Sequence, residues 1–461
     1  MNFSAYLDSL KDKTVAVIGI GVSNRPLIEA LLKAGISVVA CDRKDRAGLG
    51  EDADRLEAMG AHLQLGEDYL KDLNQDIIFR TPGMRHDVPA LTAAAAQGSK
   101  ITSEMEVFFE VCPCPIIAVT GSDGKTTTTT IIAELLRHAG KTVHLGGNIG
   151  HPLLVEANDM QPTDITVLEL SSFQLLTMKT KSPHIAVITN LAPNHLDVHK
   201  GMDEYVAAKE NIFLHQSGDD IAVFNADNGI TFEQSKRAPG EVRLFSREEE
   251  PASGVFLRGD AIIARKNGEE RQIMTRADIR LPGIHNVENF MAAIAAVEGM
   301  VSDEVIRSFA REFAGVEHRI EWVRTLRGVR YYNDSIATSP TRAIAGLRSF
   351  PQKVIMIAGG YDKRIPFDVL GPEIVEHVKI LVLCGATANQ IRTSVTKAEG
   401  YCEGMPVILE TDDFREAVEL ASKYASEGDI VTLSPACAAF DRFKNFMERG
   451  KVFKAIVNEL N

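Results

Sequence analysis

The stretch Pro115-Ile-Ile-Ala-Val-Thr-Gly-Ser-Asp-Gly-Lys-Thr-Thr-Thr128 constrains the fold most, because an apolar run passes through two glycines into a lysine and a row of hydroxyls. Residues 116–119 have the continuous apolar character of a buried central strand. The spacing of Ile131, Ile132, Leu135 and Leu136 predicts a helix that stops at Gly140. The turn therefore falls at a helix N-terminus. There Gly121 and Gly124 let backbone N–H groups face an anion, the helix dipole favours negative charge, Lys125 adds a cation, and the Thr126 hydroxyl can join a Mg²⁺ shell. This combination predicts a nucleotide phosphate as ligand. The full G-x-x-x-x-G-K-[ST] spacing is incomplete, since Val119 stands where the first glycine belongs.

Upstream, Thr14-Val-Ala-Val-Ile-Gly-Ile-Gly21 reads as a strand ending in a Gly-x-Gly turn, followed by a helix through Leu27, Leu31 and Leu32 that stops at Gly35. A second strand over 36–41 ends in Asp42, so the chain opens in a Rossmann-like manner, with an acid placed to accept ribose or base hydrogen bonds. The third glycine of G-x-G-x-x-G is replaced by Asn24, which counts against a dinucleotide packed on that turn. A strand at 76–79, the turn Thr81-Pro82-Gly83 and an alanine-rich helix through Gln97 continue the alternation, and a linker-like break is expected over 105–115.

Beyond the loop, Ile165-Thr-Val-Leu-Glu169 is a buried strand with a carboxylate at its C-terminal end, where ligands of α/β sheets gather, so Glu169 could complete a Mg²⁺ shell with Thr126. An acid there also suits a helix N-cap or a surface charge. A strand over 185–189 leads into Asn190-Leu-Ala-Pro-Asn-His-Leu-Asp-Val-His199, placing His195 and Asp197 at the same sheet edge; His195 reads equally as a metal ligand or as a hydrogen-bonded loop histidine. Lys209, in an amphipathic segment over 205–213, reads by default as a solvated helix lysine. Residues 241–275, with turns at Arg258-Gly-Asp260 and Lys266-Asn-Gly268, predict hairpins rather than parallel crossovers. Asn286 and Asn289 open an apolar helix after Gly283. A third α/β module begins near Val316, with strands over 323–332, 354–358, 380–384 and 430–433.

At 461 residues the chain exceeds one core, and about 150 residues per domain suggests three domains. Sixty-three acidic against fifty basic residues, a net charge of −13, oppose a nucleic-acid or anionic-membrane partner. No stretch has the apolar length of a membrane span, and the N-terminus lacks a basic region followed by an apolar run, so a cytoplasmic location is expected. Cys112-Pro-Cys114 lacks the two-residue gap of a zinc or redox pair, which leaves the six cysteines as buried or surface thiols.

Taken in order, Thr120-Gly-Ser-Asp-Gly-Lys-Thr126, Gly147-Asn-Ile-Gly150, Glu169-Leu-Ser-Ser-Phe-Gln174, Asn194-His-Leu-Asp197, the Lys209 helix, His285-Asn-Val-Glu-Asn289, His318-Arg319, Asn333-Asp-Ser335 and Gly360-Tyr-Asp-Lys363 resemble the Mur ligase family over nearly the whole chain. Within it, the run Ser434-Pro-Ala-Cys-Ala-Ala-Phe-Asp-Arg-Phe-Lys-Asn-Phe446 with Arg449-Gly450 is similar to the D-glutamate-adding branch. The lack of an Asp-Asn-Pro-Arg motif argues against the branch that adds diaminopimelate or lysine.

The resemblance implies an α/β fold of three domains. A Rossmann-like domain for the UDP substrate would span 1–106, a central P-loop-type ATP-binding domain 107–316, and a Rossmann-like C-terminal domain for amino acid and ATP 317–461. It implies a monomeric enzyme that joins D-glutamate to UDP-N-acetylmuramoyl-L-alanine at the expense of ATP, through an acyl phosphate. Gly121, Ser122, Asp123, Gly124, Lys125, Thr126 and Thr127 would cradle ATP, with Asn286, Asn289, Arg319 and Asp334 as its further contacts. Thr126, Glu169, His195 and a carbamylated Lys209 would serve two Mg²⁺ ions, because an ammonium of ordinary pKa near ~10.4 would repel them. Val22, Ser23, Asp42 and Arg43 would face the uridine end, and Asn148, Ser171 and Gln174 the muramoyl-alanine. Thr338, Lys363, Ala439, Phe440 and Phe446 fall to D-glutamate, with Lys125, His195, Lys209 and Lys363 nearest the chemistry.

Three positions depart from the family pattern. Ile336 stands where many relatives have lysine, Ala439 where a serine is usual, and Asn24 where a glycine is common. Ala439 can offer D-glutamate only backbone bonds. Other readings of the motifs are a P-loop kinase or switch, which gives the third module no task, an NAD-dependent oxidoreductase, which Asn24 disfavours, and a related amide ligase such as a folylpolyglutamate synthase.

Overall fold

The structure, a computed structural model, describes residues 1–196, 198–363 and 365–461. Asp197, expected beside His195, lies outside the described residues. The chain forms two compact units, Met1–Arg276 with Glu288–Phe309, and Ala277–Val287 with Ala310–Asn461.

The first unit holds two sheets. Strands β1 (Val15–Ile18), β2 (Val38–Asp42), β3 (His62–Leu65), β4 (Ile77–Phe79) and β5 (Lys100–Thr102) pair in parallel in the order β3-β2-β1-β4-β5. This is the Rossmann-like opening the glycine turn predicts. The expected break over 105–115 is instead the helix Glu104–Val111, capped by the Ser103 hydroxyl and burying Met105, Val107, Phe108 and Val111 in the core. Its apolar residues recur at helical spacing, and Pro113 and Pro115 stop it, so a composition that reads as a spacer packs as structure.

The second sheet comprises β6 (Ile116–Thr120), β7 (Val143–Gly147), β8 (Ile165–Glu169), β9 (Ile185–Ile188), β10 (Ile221–Asn225), β11 (Glu241–Ser246), β12 (Gly254–Arg258), β13 (Ala261–Lys266) and β14 (Glu269–Thr275). Its order, β14-β13-β12-β11-β10-β9-β6-β8-β7, puts β6 between two parallel neighbours. Every residue of β6 is buried, as a strand covered on both faces requires, and each of its large aliphatic side chains contributes about 2 kcal/mol by leaving water. The hairpin expectation for 241–275 holds for β12, β13 and β14 but not for β11, which runs parallel to both β10 and β12. The turn-forming dipeptides mark only the two antiparallel corners, and nothing local reports the parallel pairing.

The second unit is built on β15 (Glu321–Leu326), β16 (Val329–Asn333), β17 (Val354–Ala358), β18 (Val378–Leu383), β19 (Val407–Glu410) and β20 (Ile430–Leu433), in the order β15-β16-β20-β17-β18-β19. Residues 323–332, expected as one strand, fold into the antiparallel pair β15 and β16 because Arg327 and Gly328, both at positive φ, turn the chain. The remaining pairs are parallel. Among the described residues no helix is long and apolar enough to cross a membrane.

Candidate active site

Strand β6 delivers the chain into the glycine turn, and the helix Lys125–His138 begins immediately after it. A side chain at either glycine would be strained. A Cβ on Gly121 (φ +149°) would lie 1.9 Å from Thr189 Oγ1, and one on Gly124 (φ +76°) would lie 2.3 Å from Asn289 Oδ1. The loop is braced from the end of β9. Ser122 N–H donates to Asn190 O at 2.8 Å, the Ser122 hydroxyl to Ala192 O at 2.9 Å, and Asp123 N–H to Asn190 Oδ1 at 3.0 Å. Thr128, one turn into the helix, donates its hydroxyl to Asn289 Oδ1 at 3.2 Å, so Asn289 does reach the phosphate loop.

Three expected groups converge here. Lys125 Nζ donates to Gly121 O at 2.9 Å and Ser122 O at 2.8 Å. The Thr126 hydroxyl donates to Glu169 Oε2 at 2.7 Å, and Asn148 Nδ2 to Glu169 Oε1 at 2.7 Å, so the carboxylate at the end of β8 is buried and oriented by both. A hydroxyl beside a carboxylate at a phosphate loop is an all-oxygen donor pair of the kind Mg²⁺ takes.

Lys209 is not solvated. It is 2% exposed, donating to Thr120 Oγ1 and Gly121 O, each at 2.9 Å, with its ammonium 5.0 Å from the centre of the Tyr205 ring. Burial, and secondarily the charge of Lys125, push its pKa well below the usual lysine value, while Glu169 opposes them. An amine so placed is readily neutral and nucleophilic. As a cation it would oppose a metal; as a carbamate it would become a hard oxygen ligand. The donors around it therefore fit a metal only in the modified form.

His195 sits in a left-handed backbone conformation (φ +53°) with its ring edge-on to Phe173 at 5.1 Å. Four residues on, His199 is buried, stacked on Phe173 at 5.3 Å and sharing a hydrogen bond with Ser172 Oγ at 2.9 Å; burial lowers its pKa, which keeps it neutral. Sequence reading gave no role to the ion pairs behind this loop. Arg85 forks onto Glu204 at 2.8 and 2.9 Å and onto Asp87 at 2.7 and 2.9 Å, and donates to Val198 O at 2.9 Å. Arg85 first, with the Lys200 N–H also donating, holds Glu204 near pKa 2 against an ordinary 4.5. The folded-state value is depressed, so this stabilisation is complete above pH 4.5 and is lost as pH falls toward 2. Arg85→Ala is expected to flatten that acid limb and to cost about 1–2 kcal/mol at neutral pH, read by urea melts across the range.

At the end of β1, Val22 and Ser23 are exposed, as is Arg43 after β2. Asp42 accepts from Ile20 N–H at 2.7 Å and Lys44 N–H at 2.8 Å, fastening the two turns together. Asn24 is buried and donates to Ile18 O at 2.9 Å, so it holds the turn from within in place of the missing glycine. Ser171 and Gln174 form a reciprocal capping box on the short helix Ser172–Leu175. The ligand contacts expected of them would have to come from what that box leaves over.

In the second unit, Asp334 is buried, bonded by the Ser434 hydroxyl at 3.0 Å and Ile320 N–H at 3.3 Å, and burial raises its pKa to about 7 while Arg319 opposes that shift. Asn286 donates to Pro282 O at 2.6 Å. Lys363 Nζ reaches Thr338 O at 3.2 Å, so two of the groups expected at D-glutamate are neighbours. Ala439 is buried, Phe440 is exposed with its ring edge against Tyr361 at 5.9 Å, and the Phe446 ring meets His318 at 5.9 Å. What holds these loops together is Arg449, quoted above only as part of a run. Fully buried, it donates to Ser335 Oγ and O, Ala438 O and Cys437 O at 2.9–3.1 Å, while Ser335 Oγ donates to Phe446 O at 2.8 Å. A lone arginine near a C-terminus carries no local sign of such a role; only its proximity to the Ser-Pro-Ala-Cys run could have drawn attention to it.

Two family profiles match the chain, the Mur ligase middle domain over residues 119–297 and the Mur ligase glutamate ligase domain over residues 318–437. The UDP-N-acetylmuramoylalanine--D-glutamate ligase of Acetivibrio thermocellus is 53% identical over 98% of this chain and 97% of its own length. The ligase of the same name from Clostridium novyi is 50% identical over 99% of each. Among solved structures, the UDP-N-acetylmuramate-alanine ligase of Thermotoga maritima superposes with a TM-score of 0.59 at 18% identity, covering 97% of this chain and 99% of that one, which speaks to the fold alone. With two matching family profiles, full-length relatives at about half identity and a shared fold, this chain belongs to the Mur ligase family.

Proposed function

We propose that the protein joins D-glutamate to UDP-N-acetylmuramoyl-L-alanine in an ATP-dependent amide ligation, in cytoplasmic peptidoglycan precursor synthesis. The observation that carries this reading is the cluster of Lys125, Thr126, Glu169 and Lys209 around one phosphate loop, in a chain whose relatives match it end to end. A carboxylate is a poor acyl donor. Transfer of the γ-phosphoryl group to its oxygen makes that oxygen a leaving group, and attack by the amino-acid amine then forms a tetrahedral centre that expels phosphate.

In this mechanism the loop N–H groups and Lys125 bind the β- and γ-phosphates and offset the charge that moves onto them. Thr126 and Glu169 would hold Mg²⁺, which supplies charge neutralisation at the phosphates. His195 and a carbamylated Lys209 are assigned to a second Mg²⁺. Asn286, Asn289, Arg319 and Asp334 are assigned to the rest of ATP. Val22, Ser23, Asp42 and Arg43 are assigned to uridine, and Asn148, Ser171 and Gln174 to muramoyl-alanine. Thr338, Lys363, Phe446 and the backbone at Ala439 and Phe440 are left for D-glutamate, with Arg449 positioning that backbone. The same reading divides the chain at 106 and 316 into three domains and makes it a monomer without nucleic-acid or membrane partners.

Phosphate release measured with each substrate omitted in turn tests the reading. Release is expected only with ATP, the UDP-muramoyl-alanine acceptor and D-glutamate together. Release without an amino acid would indicate a kinase, and turnover with L-lysine in place of D-glutamate would overturn the substrate assignment.

A further inference from the structure

Cys112 and Cys114 flank Pro113 where the helix Glu104–Val111 gives way to β6, at the end of that strand away from the phosphate loop. Cys112 is half-buried beside an exposed proline, and Cys114 is buried. Their sulfurs are 3.6 Å apart. The Thr166 hydroxyl of β8 completes a triangle with them, 3.6 Å from Cys112 Sγ and 3.2 Å from Cys114 Sγ. The hydroxyl can turn its proton to whichever sulfur is charged, and the Cys114 thiol can donate to Cys112 in the same way.

From this geometry we propose that Cys112 and Cys114 form a reversible thiol–disulfide site whose oxidant is hydrogen peroxide. Cys112 is half-buried where Cys114 is buried, so it is the sulfur a peroxide reaches first and the attacking one, and hydrogen bonds from Cys114 and Thr166 favour its thiolate against the opposing effect of burial. Its thiolate takes the terminal oxygen of the peroxide, breaking the O–O bond and releasing hydroxide, and becomes a sulfenic acid. Cys114 then attacks that sulfur, a disulfide forms, and the sulfenic oxygen leaves as water with the Cys114 proton. Two thiols and one hydrogen peroxide thus give one disulfide and two waters. Closure requires the sulfurs to approach from 3.6 Å to about 2.05 Å in a surface turn. Because the pair spans a single residue, the bond removes little chain entropy, so a dithiol should reduce it readily. The linkage would tie the end of the helix to the start of the strand that carries the phosphate loop.

The full-length protein, treated with equimolar hydrogen peroxide, alkylated and digested, is expected to yield a peptide with Cys112 and Cys114 linked and lighter by two hydrogens. Dithiothreitol should reverse this. Exposed Cys402 should form only oxygen adducts. Thr166→Val is expected to slow linkage about fivefold through loss of one hydrogen bond to the thiolate, and Cys114→Ser should leave a Cys112 sulfenic acid that dimedone traps. The proposal is overturned if both thiols remain alkylatable while Cys402 oxidises, or if Cys112 proceeds to the sulfinic acid without a linked peptide. An unchanged rate in Thr166→Val would remove the hydroxyl from the site.

Discussion

Lys125→Ala is expected to lower kcat by about 10³-fold, with the fold intact, because the moving γ-phosphoryl charge loses the one loop side chain that carries a full positive charge toward it. The loop has supports that do not pass through Lys125. Lys125 bonds to Gly121 O and Ser122 O, carbonyls of a loop that is separately held by Asn190 and Ala192. The melting temperature should therefore stay close to that of the parent. Phosphate release at saturating substrates, set beside a thermal melt, measures both. A rate within about threefold of the parent would remove Lys125 from the transition state.

The second large effect is expected at Lys209. As an ammonium it is an expensive occupant of its site, desolvated and sharing the Gly121 carbonyl with another cation. Its folded-state pKa is depressed, so its contribution to stability is complete above the ordinary lysine pKa and shrinks as pH falls toward the depressed value. If the lysine served packing alone, Lys209→Met would be neutral or stabilising, and activity would survive. Carbamylation would resolve the conflict by turning a buried cation into an anion near Glu169, the carboxylate proposed to hold Mg²⁺. Lys209→Ala is therefore expected to lose about 10²-fold or more in kcat and to recover part of it with added formate or acetate. A carbamate carbon signal from ¹³C-bicarbonate should appear in the parent and be absent from the variant. Activity near the parent level in Lys209→Ala would sink the assignment.

Much of the site was legible in the chain because it is local. The strand, two glycines, Lys125, Thr126 and the helix occupy one short run, and each is specified by nearest-neighbour sterics and by the orphan N–H groups of a helix start. Glu169 was legible for a related reason, since a carboxylate ending an apolar strand has a known destination in a parallel sheet. The burial of Lys209 was not legible from its own segment, because its helix reads as amphipathic and Thr120 and Gly121, 89 and 88 residues away, turn its side chain inward beside the Tyr205 ring. Arg85 and Arg449 were missed for a similar reason, since Glu204 and Ser335, which complete their acceptor sets, stand 119 and 114 residues away. The helix over 104–111, where a break was expected, carries a local apolar pattern that Pro113 and Pro115 cut short after two turns.

By itself, then, the sequence determined the alternation of strands and helices, the phosphate loop and the order of family motifs, all set by periodicity and turn chemistry within a few residues. The tertiary structure decided which charged groups leave water and which oxygens they hold: Lys209 the phosphate-loop carbonyl of Gly121, Arg449 the Cys437–Ala438 backbone, Arg85 the Glu204 carboxylate. The division is physical, because a side chain's desolvation and pKa depend on surfaces supplied by distant segments, which no local pattern records.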